Sequence, residues 1–165
     1  MNSVQKRLCL SAAILAGIPV HGVMAATQTT TFQVTATVQK ACLINSAADL
    51  AFGSYFRRSA STATSDISVT CTNSTPFDVG LNAGTFPAAT VTTRQMTGPS
   101  GASLAYNLYS DAGRTINWGN TIGVDAVHGT GNGAAQTMTV YGTVPVGQHP
   151  TPGGYVDTIT VTLTF

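Results

Sequence analysis

Residues 155–165 read YVDTITVTLTF, and their alternation decides the fold class. Ile159, Val161, Leu163 and Phe165 are apolar, while Thr158, Thr160, Thr162 and Thr164 between them are polar. That period of two belongs to a β-strand with one face on a core and the other in water. The sequence stops at Phe165, so this strand is expected to have a free edge that nothing after it covers. An uncovered, regular, half-hydrophobic edge is a template for pairing with another chain. A second alternation lies near the opposite end, where Phe32, Val34, Ala36 and Val38 interleave with Gln33, Thr35, Thr37 and Gln39. One end is expected to lack a strand that the other end, on a neighbouring molecule, supplies.

Ahead of that second strand, Lys6 and Arg7 form a basic start and residues 8–20 (LCLSAAILAGIPV) an apolar run too short to span a bilayer comfortably. Residues 1–25 therefore read as a cleaved signal peptide, with the cut after Ala25 or Ala26; a retained anchor is the alternative. Cleavage leaves about 140 residues, the size of one domain. Cys9 departs with the leader, so Cys42 and Cys71 remain, and two cysteines in an exported chain are expected to pair. A bridge closing a loop of about 30 residues contributes about 3.5 kcal/mol on the chain-entropy argument. The alternative, a metal site, wants more ligands than two thiols, and His128 and His149 lie far off in glycine- and proline-rich stretches.

Charged residues make up only 8% of the chain, well below the usual quarter. After the leader, Lys40, Arg57, Arg58, Arg94 and Arg114 face six Asp and no Glu, which leaves no electrostatic footprint for nucleic acid. Threonine, serine, glycine and asparagine replace the charges and favour strands and turns. Short strands are expected around Cys42, at Leu50 and Phe52, over Ile67, Val69 and Cys71, and over Phe77, Val79 and Leu81. Others follow at Leu104, Tyr106 and Leu108, at Ile116 and Trp118, and at Met138 and Val140. Residues 59–65, 128–133 (HGTGNG) and 145–154 (PVGQHPTPGG) read as connections. Frequent turns without helical periodicity indicate an all-β sandwich.

Little in the chain suggests catalysis. Residues 98–102 (GPSGA) approach a nucleophile elbow but carry Ala102 where that turn needs glycine. Gly129, Gly131 and Gly133 lack the Lys and Ser or Thr of a phosphate loop and read as turn residues. The six aspartates follow no hydrolase or calcium-loop spacing. Trp118, Tyr109, Tyr141 and Tyr155 would suit a sugar platform if exposed and core packing if not. No enzyme activity, cofactor or metal is expected.

The order of several short motifs resembles a known family: Phe32-x-Val34-x-Ala36-x-Val38 before Cys42, residues 50–55 (LAFGSY), Ile67-x-Val69-x-Cys71, residues 106–109 (YNLY), Trp118-Gly119, residues 141–145 (YGTVP), and the closing Gly154-Tyr155-x-Asp157-Thr158-Ile159. This is the pattern of the spore coat protein U domain, a family that includes subunits of Csu-type, or archaic, chaperone-usher pili. The resemblance covers the whole chain after the leader. It implies an incomplete immunoglobulin-like β-sandwich lacking its last strand, completed by a donated strand. Residues 26–39 would be the donor segment, inserting Phe32, Val34, Ala36 and Val38, and residues 40–165 the pilin domain. Tyr155, Ile159, Val161, Leu163 and Phe165 would form the edge of the acceptor groove. The implied partners are a periplasmic chaperone, an outer-membrane usher and neighbouring subunits, and the implied destination is a surface pilus serving adhesion or biofilm formation. Two other readings stay open: a coat protein of the same domain family, and a complete, secreted carbohydrate-binding sandwich that keeps residues 32–38 as its own first strand.

Overall fold

The structure is a computed structural model that describes Gly22 and residues 24–165, so the expected signal peptide lies almost entirely outside the described residues. The chain falls into two units, Met1–Ala36 and Thr37–Phe165. In the first, the described residues carry neither helix nor strand, and the Phe32 and Val34 side chains are 85% and 84% exposed.

Nine strands build the second unit: β1 Cys42–Ala47, β2 Ser61–Cys71, β3 Pro76–Leu81, β4 Gln95–Thr97, β5 Ser103–Ala105, β6 Asn107–Tyr109, β7 Val127–Thr130, β8 Ala135–Val144 and β9 Val161–Thr164. They form a four-stranded sheet in the order β1-β2-β8-β6, a three-stranded sheet in the order β7-β3-β9 and the pair β4-β5. Every named pairing is antiparallel. The result is an all-β, immunoglobulin-like sandwich whose sheets do not close. Its core is the sum of the period-two faces: Ile67, Val69 and Cys71 from β2, Val140 and Val144 from β8, and Phe77, Val79 and Leu81 from β3 are all buried.

Leu104, Tyr106 and Leu108 are buried as their spacing predicts, yet they belong to two strands, not one. Leu104 pairs with β4 and Leu108 with β8, so the chain changes partners at Tyr106 while keeping one face inward. Trp118, 1% exposed, donates from its indole N–H to the Val79 carbonyl at 2.8 Å and is thus a core residue, not a sugar platform. It sits outside any strand, next to an isolated bridge between Tyr109 and Asn117.

Three stretches depart from the sequence reading. Residues 61–65, expected in a loop, extend β2, because their Thr and Ser positions find a long partner in the second half of β8, from Ser61 opposite Val144 to Ser65 opposite Val140. Residues 127–130 form β7, although Gly129 reads as a turn residue: Gly129 lies opposite Phe77, and a Cβ there would collide with the Phe77 ring, so this glycine serves close packing. Gly133, with φ +78, is a true turn glycine. Leu50 and Phe52 are not in a strand, but they pack against the core, meeting β8 at Gly142, where a Cβ would strike both.

Cys42 and Cys71 are bonded and lie directly opposite one another on β1 and β2, with Cα atoms 4.1 Å apart. The bridge holds β1, an edge strand, onto its sheet. A bulge at Asn45 interrupts the pairing further on, and the Asn45 side chain reaches Thr70 Oγ1 at 2.9 Å.

Leu108→Ala is expected to destabilise by about 2 to 5 kcal/mol, whereas Asn107→Ser changes little. Chemical denaturation of both variants checks the face assignment, and equal losses would contradict it.

Candidate strand-acceptor groove

Between the two sheets the sandwich is open along one side. One rim is β1 and the irregular run after it, held down by hydrogen bonds from Ala48 N to the Asp66 carbonyl and from Ser65 Oγ to the Ala48 carbonyl. The other rim is the stretch 155–165, and β1 approaches β9 across the opening. A cavity of ≈ 490 Å³ lies between them, floored by Ile67, Leu81, Tyr106, Leu108 and Val140. A second, of ≈ 900 Å³, continues toward residues 148–154 and shares Leu50, Phe52, Met96 and Tyr155 with the first. The trough is long, apolar at its base and lined by core residues, as expected where a strand is missing from a sandwich.

The rim contains less strand than the alternation implies. β9 is regular only from Val161 to Thr164, paired to β3 with Asp78 opposite Thr164 and Leu81 opposite Val161. Residues 155–160 continue extended without a ladder, because β3 ends at Leu81 and the chain turns away through Gly84. The side-chain alternation nevertheless persists: Tyr155, Ile159, Val161 and Leu163 all pack against the core. Phe165, expected on the same face, is 57% exposed, since it stands one residue beyond the last paired position.

Main-chain bonding alternates as well. Val156 exchanges two hydrogen bonds with Thr97, at 2.8 and 3.0 Å, and Thr160 accepts from Asn82 N at 3.1 Å. Even-numbered residues therefore bond inward, Val156 to β4 and the others to the β3 chain, and by the strand's alternation the N–H and C=O groups of 159, 161 and 163 point to the open edge. Among the described residues, β9 has no strand on that side. The trough thus combines two features, a row of main-chain donors and acceptors along its edge and a hydrophobic floor.

Two polar residues of the site did not stand out in the sequence. Asp157, seen there only as part of a motif, accepts from Tyr106 Oη at 2.6 Å, from Thr85 N and Thr85 Oγ1 at 2.7 Å each, and from Thr158 N at 2.8 Å. Partial burial alone would raise its pKa, but these donors outweigh that and hold the carboxyl below the usual carboxylate value. Burial, reinforced by the bond to Asp157, pushes the Tyr106 hydroxyl up, so it remains a donor. Arg94 is fully buried and donates to four main-chain carbonyls, those of Asn82, Val91, Leu81 and Trp118, at 2.7 to 2.9 Å. Burial pulls its pKa down, opposed by the neighbouring Tyr106, Asp125 and Asp157. Its sequence signal was isolation: Arg94 is the sole charged residue between Asp78 and Asp111.

The residues weighed for other chemistry lie elsewhere. Ser100 is exposed in a single 3-10 turn with φ 55. His128 faces solvent on β7, 3.2 Å from Asp78. Of the expected donor residues, Phe32, Val34, Ala36 and Val38 are all exposed.

Comparison with known proteins gives three findings. The profile described as Spore Coat Protein U domain matches residues 28–162. Protein U of Myxococcus xanthus is 35% identical over an alignment of 180 residues that spans the whole of both chains. A solved structure titled as a chaperone–tip adhesion subunit pre-assembly complex, from archaic chaperone-usher Csu pili of Acinetobacter baumannii, contains a chain 26% identical with a TM-score of 0.57. That match covers 78% of this chain and 40% of the other.

A carboxylate whose pKa is lowered by folding stabilises the fold above its unfolded value and ceases to do so as pH falls through the folded one. Asp157 is such a group, and Asp111, held down first by its bond from Ile116 N, is another. Thermal melts are expected to show stability falling below about pH 4, with Asp157→Asn flattening part of that fall; an identical pH profile for the variant would contradict the assignment.

Proposed function

Because this chain belongs to the Spore Coat Protein U domain family, we propose that it is a structural subunit of a surface pilus of the chaperone-usher kind, assembled by strand donation. Residues 32–38 of one copy enter the trough of the next, pairing with the open edge of 155–165 and inserting Phe32, Val34, Ala36 and Val38 toward the floor. The observation that carries this reading is the coincidence of an uncovered edge beside a hydrophobic trough with an exposed segment of matching period.

The energetics suit a durable joint. Burying Phe32, Val34 and Val38 contributes about 1.5 to 3 kcal/mol each, and main-chain bonds along the edge add to that. Donor and acceptor are different surfaces, so the contact is head to tail, does not close, and yields a fibre. Until a neighbour arrives, the same trough needs a temporary occupant, and a periplasmic chaperone that lends a strand meets that need. The likeness to a chain from a chaperone–subunit complex supports such a partner. Export by a cleaved leader, delivery through an outer-membrane usher, and adhesion or biofilm formation complete the proposed role. A coat-forming subunit joined in the same way is the second reading, favoured by the end-to-end identity with Protein U.

Val34→Asp places a charge where an apolar pocket receives the donor, at a cost of several kcal/mol, and leaves the trough intact. Mixed with unaltered protein it is expected to stop growth at one end only, and deletion of residues 26–38, which removes the same donor, to stop it at that same end. Electrophoresis without boiling reads the polymer length; unchanged ladders for both variants would overturn strand exchange through this segment.

A further inference from the structure

The Gly154-Tyr155-x-Asp157 motif has a use that strand donation alone does not explain. Where β3 ends, the rim from 155 to 160 loses its ladder and keeps main-chain pairing to β4 at the single Val156–Thr97 bridge, so the stretch between that bridge and Thr160, next to an open trough, has every reason to collapse into it. Side chains replace the missing rungs. Asn82 Oδ1 accepts from Thr160 N at 2.8 Å and from Gly84 N at 3.1 Å. Further along, the Asp157 carboxylate accepts from two main-chain amides, Thr158 N on the rim and Thr85 N on the departing chain. Its second oxygen is held from the trough floor by the Tyr106 hydroxyl. Gly84 makes the approach possible: at φ +85, a Cβ there would overlap the carboxylate.

We propose that Asp157, tied to Thr85 and Tyr106, is a latch that keeps the rim 155–160 straight while the trough is empty, so that the edge is ready to pair when a strand arrives. Asp157 is a positioning residue: its carboxylate forms no joint with the donor but fixes the backbone that does. A rim straightened beforehand does not have to be ordered during binding, and that saving appears in the association rate. Once the donor is paired, its own ladder holds the rim, and the latch no longer matters for dissociation. This inference rests on the strand-acceptance reading above.

The test uses the full chain carrying Val34→Asp, which cannot donate, and a fluorescent peptide with the sequence of residues 27–40. Stopped-flow anisotropy gives association and dissociation separately. Adding Asp157→Ala is expected to slow association about tenfold and leave dissociation unchanged, while Asp157→Asn, which keeps an acceptor for Thr85 and Thr158 and can donate to Tyr106, stays within about threefold of the parent. A role in general stability would instead quicken dissociation and find no rescue in Asn. Association by Asp157→Ala as fast as the parent's, or dissociation accelerated as much as association is slowed, would overturn the latch while leaving strand acceptance in place. No uptake by the parent would overturn strand acceptance itself and the latch with it. If Asp157→Ala does not fold, Tyr106→Phe carries the test, with slower association expected and an unchanged rate decisive against the proposal.

Discussion

A β-strand has two edges, and each must find hydrogen-bond partners in another strand, in water or in a cover. In this protein the constraint falls on residues 155–165, which pair with β3 over four residues and with β4 through the Val156–Thr97 bridge alone, and have no strand on the other side of β9 among the described residues. Much of the remaining structure is organised around keeping that edge in place. The long β2–β8 ladder supplies a rigid floor, the Cys42–Cys71 bond fastens the opposite rim, and Leu50 and Phe52 shape the trough by lying over Gly142.

The polar network beneath the rim follows from the same constraint. Where β3 stops, several carbonyls converge without strand partners, and the buried Arg94 satisfies four of them with a single planar fork of donors. Leaving such groups unpaired in the interior would cost about 1 to 3 kcal/mol each, so one buried guanidinium stabilises what several apolar residues could not. Asp157 performs the complementary task, accepting where amides lack carbonyls. Together they allow a sheet to end abruptly beside an open trough without unravelling.

Much of this was legible in the sequence because it depends on period two. The alternations of 67–71, 77–81 and 155–163, and the inward set Leu104, Tyr106 and Leu108, reported the core directly. The cysteine pairing followed from their number after removal of the expected leader. What escaped notice depends on tertiary approach. Gly129 reads as a turn until Phe77 is placed across from it, residues 61–65 read as a loop until β8 is found to be ten residues long, and Leu104 and Leu108 look like one strand until their partners differ. Asp157 was visible as a motif but its role was not, since a carboxylate facing inward beside threonines gains meaning only when Thr85 and Tyr106 arrive from distant parts of the chain.

The central claim is that the edge of β9 is open in the isolated subunit and closed in the assembled one. Amide hydrogen exchange followed residue by residue tests it most directly. In the isolated subunit, Ile159, Val161 and Leu163 amides are expected to exchange quickly while Thr160 and Thr162 exchange slowly, and in the polymer all five become slow. Slow exchange at Ile159, Val161 and Leu163 already in the isolated subunit would mean that the sandwich is complete without a neighbour, and would contradict the account.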